Sequence, residues 1–151
     1  EWAKKGNKSF FGYKGHVKVD TENNFIWKVE TTAANTHDSQ VDLANEGEVR
    51  YGDKGYYGAK TKGYDASMKK ATRGHPLGIL DQLRNKRISS KRSPVERCFS
   101  VMKIVFKSGH VMVTTVERAA VKITFNAIGY NLFNLLGLVN KTLPSVSYQE
   151  K

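Results

Sequence analysis

The chain is expected to adopt an α/β fold, and three observations carry that expectation. Residues 11–30 alternate apolar and polar side chains with period two, the pattern of half-buried strands. Residues 95–106 and 116–139 carry apolar side chains at helical spacing. Between them, Glu48 to Asp53 reads as a short buried strand that ends in an acid and runs into a glycine-rich turn.

In chain order, Phe11, Tyr13, Val17 and Val19 alternate with Lys14, His16 and Lys18 as a first strand. Asp20 to Asn24 has turn chemistry. Phe25, Trp27 and Val29 alternate with Ile26, Lys28 and Glu30 as a second strand, so a hairpin is expected. Asp38 is a candidate N-cap for a short helix over Ser39 to Ala44, and His37 beside it suits a structural hydrogen bond or a site role. After Asp53, Lys54-Gly55-Tyr56-Tyr57-Gly58 makes a turn, and a helix is expected near Tyr64 to Ala71. Arg73 to Ser90 leaves a strand near Gly78 to Leu80 and a helix over Ile79 to Arg87 both open. Ser93 and Pro94 are good N-cap and first-turn residues, so a helix is expected to start there, with Val95, Phe99, Met102 and Phe106 as its core stripe. The last helix spans about Val116 to Val139 and is apolar nearly all round, as if buried between a sheet and other helices. Residues 1–139 then form one domain, and 140–151 a tail that frays.

Composition narrows the partners. The 151 residues suit a single domain, and 39% hydrophobic with 11% aromatic content suits a packed core. A formal charge of +11 and a pI near 9.8 favour a polyanion, with nucleic acid first. A membrane surface fits less well, since no basic amphipathic helix with a clean apolar face stands out. The longest uncharged run, Ile123 to Asn140, contains Asn126, Asn131 and Asn134, which suits a buried helix better than a span. One cysteine, Cys98, excludes an internal disulfide and points to a reducing compartment; its place beside the apolar stripe predicts burial rather than catalysis. No signal peptide is visible, and the first residue, Glu1, suggests a processed piece or fragment.

Charge is unevenly spread. Residues 37–53 hold five acids (Asp38, Asp42, Glu46, Glu48, Asp53) and one base, Arg50. Residues 84–107 hold eight bases, among them Arg87, Lys91, Arg92, Arg97 and Lys103, and one acid, Glu96. A solvated face usually mixes its signs, so Arg87, Lys91, Arg92, Arg97 and Lys103 are candidate phosphate contacts. Glu96 has two readings: a metal ligand among bases, or the reciprocal partner of Ser93 in a capping box. Asp53 likewise is either a metal ligand at a strand end or the cap of the turn that follows.

Several ordered motifs together resemble one family. They are Lys4-Lys5-Gly6-Asn7 leading into Phe11-Gly12-Tyr13-Lys14-Gly15-His16, then Thr32-Ala33-Ala34-Asn35-Thr36-His37-Asp38, then Tyr51-Gly52-Asp53-Lys54-Gly55-Tyr56. Arg92, Glu96 and Lys103 follow, with three and then six intervening residues. The chain looks like the C-terminal catalytic part of bacterial insertion-sequence transposases of the DDE superfamily. The resemblance implies a ribonuclease H-like mixed sheet flanked by helices, here lacking its first, central strand and the first catalytic aspartate. It implies that Asp53 and Glu96 are the second and third acids, holding Mg2+ or Mn2+, and that Arg92 and Lys103 lie near DNA phosphates. It implies DNA cleavage and strand transfer at an element's ends, a homo-oligomeric active complex, no membrane role, and a place in the bacterial cytoplasm at the nucleoid. Ser89 stands where the family signature has a tyrosine, three residues before Arg92. Two further readings compete: a non-catalytic DNA-binding or assembly remnant, and a metal-dependent nuclease of the same fold.

Overall fold

The computed structural model describes residues 2–142; the expected tail lies outside them from residue 143 on, and 140–142 continue the last helix. The chain opens with a hairpin, β1 (Trp2–Lys5) and β2 (Lys8–Phe11), in which Lys5 pairs with Lys8. Gly6, at φ 60°, supplies the left-handed first position that a two-residue hairpin loop requires. Gly12 separates this hairpin from the expected one, so Phe11 and Tyr13 belong to different strands.

The expected hairpin forms from β3 (Tyr13–Val19) and β4 (Ile26–Ala33), antiparallel. Its turn is built by one side chain: the Asp20 carboxylate accepts from the amides of Glu22, Asn23, Asn24 and Phe25. Asn24 takes the left-handed region at φ 61°, which asparagine tolerates. The expected facing of the second strand is corrected. A register shift at Lys18/Val19 pairs Val19 with Ile26 while Lys18 pairs with Lys28. A bulge of this kind turns the strand locally, so Ile26 is buried beside Val17, Val19 and Val29, and Trp27 is 73% exposed.

Two further expectations in the middle of the chain fail. The helix over Ser39 to Ala44 is a single 3-10 turn, Asp38–Gln40, capped by His37, whose Nδ1 accepts from the Ser39 amide. It stops because Val41 is extended and buried, while the Asp38 carboxylate holds the Lys14 ammonium at 2.9 Å instead of capping. The helix near Tyr64 to Ala71 is absent. There the chain forms β6 (Tyr64–Asp65), parallel to β5 (Val49–Arg50), and is kept extended by Arg50 and Ser67, both bound to the Asp65 carboxylate. The expected buried strand is half open as well, with Val49 48% exposed. Among the described residues the strands make three two-stranded sheets rather than one mixed sheet.

The helix expected from Ser93 begins fourteen residues earlier in numbering, at Ile79, and runs unbroken to Ile104 as α1. Ser93 is therefore no N-cap, the capping-box reading of Glu96 is overturned, and Pro94 lies inside a helix. An interior proline removes one backbone bond and costs about 3 kcal/mol. Packing on both sides of it offsets that cost: Asn85 and Ile88 are buried before Pro94, Cys98 and Met102 after it. The Asn85 amide clamps the backbone of Lys69, donating to its carbonyl and accepting from its N–H, both at 2.9 Å. The local cap signal at Ser93 lost to these distant contacts.

The last helix, α2 (Val116–Thr142), forms as expected. It lies on the β3–β4 hairpin and on α1, and the shared core is Ile26, Cys98, Met102, Ile123, Ala127 and Tyr130. Asn131 ties it to the bulge by accepting from the Ile26 N–H at 2.8 Å and donating to the Ile26 carbonyl at 3.0 Å. Gly15 allows the close approach, since a Cβ there would stand 3.2 Å from Ile123. The all-round burial expected of α2 is not found: its far side is exposed.

Candidate functional site

The β5–β6 pairing extends past its assigned ends. The amides of Tyr64, Ala66 and Met68 donate to the carbonyls of Glu48, Arg50 and Gly52 at 2.7, 2.9 and 3.0 Å. Asp53 is the residue that follows the last of these bonds, so it stands at the carboxyl end of the strand. Gly52 before it is buried, and a Cβ there would press on Ser67 and stand 2.9 Å from the Cβ of Tyr56. A side chain at position 52 would therefore move the turn that presents Asp53.

Asp53 does two things at once. Its Oδ1 accepts from the Gly55 amide at 2.8 Å and caps the 3-10 turn Lys54–Tyr56. Its Oδ2 lies 3.9 Å from an Arg92 guanidinium nitrogen, an ion pair with the Asp53 side chain nearly half exposed. Such a pair stabilises weakly; its value is positional, because it ties the strand end to α1.

An open cleft of about 1550 Å³ passes this point. One wall is the edge of β3, including Lys14 and Lys18; another is the Arg50–Asp53 segment; α1 contributes Lys91, Arg92, Val95, Phe99, Met102 and Lys103. Phe99 and Met102 thus line the same cleft as these charged groups. Lys18 forms an ion pair with Glu48. The hydrogen bond from Lys18, with help from the Asn45 amide, pulls the Glu48 carboxyl from its ordinary 4.5 down to about 2. Lys14 donates to the Thr36 carbonyl at 2.7 Å and to Asp38. Arg50 donates to Asp65 and the Ala59 carbonyl and stacks 5.5 Å from the Tyr56 ring centre. Burial raises the Tyr56 hydroxyl above its usual range, and the negative charges of Asp38 and Asp53 add to that. Burial also lowers His16, whose Nε2 is 2.9 Å from the Thr32 hydroxyl.

The residues singled out from the sequence fall into two groups. Asp53, Arg92, Lys91 and Lys103 meet at the one cleft. Glu96 and Arg97 are exposed on α1 and do not line it; Arg87 flanks a smaller depression with Tyr51, Ile88 and Lys91. Glu96 is four residues from Arg92 and seven from Lys103, spacings that keep all three on one side of an α-helix. Glu96, Arg87, Lys91, Arg97 and Lys103 make no ion pair among the described residues, whereas Asp38, Asp42, Glu48 and Asp53 are each paired with a base. Among the described residues no three His, Cys, Asp or Glu side chains come together as a metal cage. Cys98 is fully buried, and burial pushes its thiol up to about 12, in line with the packing role expected of it. Sequence reasoning missed Lys14, Lys18, Arg50 and Tyr56; the period-two placement of Lys14 and Lys18 was legible, but it reads equally well as a solvent face.

The comparisons with known proteins agree on one family. The profile of the transposase DDE domain matches residues 1–132. The chain is similar to the transposase for insertion sequence element IS1106 of Neisseria meningitidis serogroup B, at 30% identity over 118 residues. That match covers 70% of this chain and 41% of the relative, so the chain spans well under half of that protein's length. No solved structure matches the chain.

Proposed function

The chain belongs to the transposase DDE domain family, and on that premise we propose that Asp53 and Glu96 are two of the three acids of a DNA-cleaving and strand-transferring centre. The observation that carries the reading is the placement of Asp53: it ends a strand behind an obligatory glycine and meets Arg92 across a basic cleft. Ligand chemistry in α/β folds gathers at such strand ends.

The donor chemistry fits a hard divalent cation, which takes carboxylate oxygens. Asp53 keeps Oδ2 outside its cap, and Glu96 is exposed, with no ion pair among the described residues. Mg2+ or Mn2+, when bound, supplies activation of the attacking water or 3′ hydroxyl and charge relief at the leaving oxygen. Asp53, in the cleft, would hold it, and Glu96, which stands outside the cleft lining, is assigned beside it by its spacing from Arg92 and Lys103. Arg92 and Lys103 then orient the phosphodiester from α1, and Lys91, Arg97 and Arg87 extend the phosphate track along the helix. Among the described residues Lys91, Lys103, Arg97 and Arg87 have no acidic partner, so phosphates can take up their charge without breaking an ion pair there.

The first acid belongs, in this reading, to a strand outside these residues. Among the described residues β3 has one partner strand, β4, and β3 lines the cleft together with the Arg50–Asp53 segment. A strand there would join β3 to β5 in one ribonuclease H-like mixed sheet. The active complex is a homo-oligomer on DNA, and the 151-residue chain alone binds DNA without cutting it. The rival is a non-catalytic DNA-binding remnant.

The test is Glu96→Gln in a version of the protein carrying the full triad. Loss of metal-dependent cleavage, with DNA affinity kept within about twofold, is the expected result. Normal cutting by Glu96→Gln would remove Glu96 from the centre. Metal-dependent nicking by the 151-residue chain, abolished by Asp53→Asn, would show that two acids suffice. If the full-triad protein binds DNA and never cuts, the remnant reading stands.

A further inference from the structure

Arg50 borders the cleft, yet its charge is turned into the protein. The side chain is 12% exposed, and Nε and Nη1 are buried with no hydrogen-bond partner among the described residues. The remaining nitrogen, Nη2, donates to the Asp65 carboxylate at 3.1 Å and to the Ala59 carbonyl at 3.2 Å. Nη1 lies 3.8 Å from the Asp42 carboxylate, and the guanidinium carbon 5.5 Å from the Tyr56 ring centre. Burying a cation with donors left unpaired is costly, so such a group is a poor source of stability. What a guanidinium does well is fix several groups at once, through a planar fork and a face that stacks on an aromatic ring.

The groups it fixes belong to one turn, the turn that begins with Asp53. Asp53 accepts from the Gly55 amide with Oδ1 and from the Tyr56 amide with its carbonyl, at 2.8 and 3.1 Å. The Tyr56 carbonyl in turn accepts from the Ala59 amide at 2.9 Å. Arg50 grips the middle of this series by the Tyr56 ring and its far end by the Ala59 carbonyl. The near end is held separately, since the Gly52 carbonyl accepts from the Met68 amide and position 52 has no room for a Cβ. Two anchored acids set the place of Arg50 itself. Asp42 accepts from the Thr61 hydroxyl and the Lys62 amide, and Asp65 from the amide and hydroxyl of Ser67.

We propose that Arg50 is a positioning residue for Asp53: it holds the turn 53–59 in the shape that keeps the Asp53 carboxylate at the strand end, beside Arg92. The inference rests on the reading of Asp53 as a site acid. Without the clamp, Gly55 and Gly58 leave the turn free to sample other shapes, and the carboxylate spends less time in place. Arg50 acts through Asp53 and touches neither phosphate nor metal.

Arg50→Met keeps the apolar stem and removes the fork, while Arg50→Lys keeps only the charge. Solvent exchange of single amides in the 151-residue chain, read by NMR, reports local opening. In Arg50→Met the Gly55 and Ala59 amides are expected to exchange about tenfold faster, measured against the Ala127 amide in the core, with Arg50→Lys between it and wild type. Asn131→Ala, which loosens the fold at α2, leaves that ratio as in wild type. An unchanged ratio in Arg50→Met overturns the clamp. If Arg50→Met does not fold, Arg50→Lys decides; unfolding of both overturns the proposal, because Arg50 then holds the fold and not the turn. In a version carrying the full triad, Arg50→Met lowers kcat about tenfold and leaves KM for DNA within about twofold. A raised KM with kcat unchanged would make Arg50 a DNA contact and would overturn the proposal too. If the Gly55 ratio rises but Asp53→Asn in that version still cuts, the clamp stands and the catalytic reading of Asp53 fails instead.

Discussion

Asn85→Ala separates the continuous α1 from a helix starting at Ser93, because the two arrangements predict opposite signs. In the structure Asn85 is buried and makes two 2.9 Å bonds to the backbone of Lys69. Each such bond contributes about 1 kcal/mol net, and an unpaired backbone group left in a part-buried place costs about 1 kcal/mol more. Against that loss of about 3 kcal/mol, alanine gains roughly 0.6 kcal/mol of helix propensity over asparagine. The net is destabilisation by about 2 kcal/mol, or a fall in Tm of about 4–8 °C for a chain of this size. Urea unfolding followed at 222 nm measures it, with hydrogen exchange at the Lys69 amide as the local reporter. If residue 85 were in an undocked segment, only the propensity term would remain and the variant would be slightly more stable. A neutral or stabilising result, with Lys69 exchange unchanged, refutes the docking of the first half of α1.

Two further outcomes follow from titrating groups. The native Glu48 carboxyl sits at about 2 against an ordinary 4.5, so its pairing with Lys18 stabilises fully above pH 4.5 and is lost as pH falls from there toward 2. Lys18→Met should therefore flatten the drop in Tm across that window, and parallel acid limbs for wild type and variant would count against the pair. Cys98, at about 12, is thiolate in only about one part in ten thousand at pH 8. It should resist a disulfide reagent until the chain unfolds; native labelling at the rate of a free thiol would show the core to be open.

Much of the candidate site was legible before the fold was known, though in an uneven way. Asp53 was marked by chemistry that is local: an acid after a short apolar run and before glycines. Arg92, Glu96 and Lys103 were marked by their spacing, which holds wherever their helix begins. The convergence of Lys14, Lys18 and Arg50 on the same cleft was not legible, because strand periodicity gives two faces without saying which one meets another element. Arg50 in particular is fixed by the Ala59 carbonyl and by Asp65, nine and fifteen residues away, and the extended course at Asp65 reads as a helix in the sequence.

The sequence by itself determined what local forces decide. Asp20 builds the β3–β4 turn from amides within five residues of it, α2 follows from its unbroken apolar period, and Cys98 is buried because it rides on a core stripe. Tertiary structure decided wherever a local preference had a distant competitor. The bulge that buries Ile26 and turns Trp27 outward is held by Asn131, 105 residues away. The proline that signals a helix start is carried through α1 because both halves of that helix are anchored, one on Lys69 and the other on α2. The apolar period of α2 predicted burial on every side, but among the described residues one side of it meets the hairpin and α1 while the other is exposed.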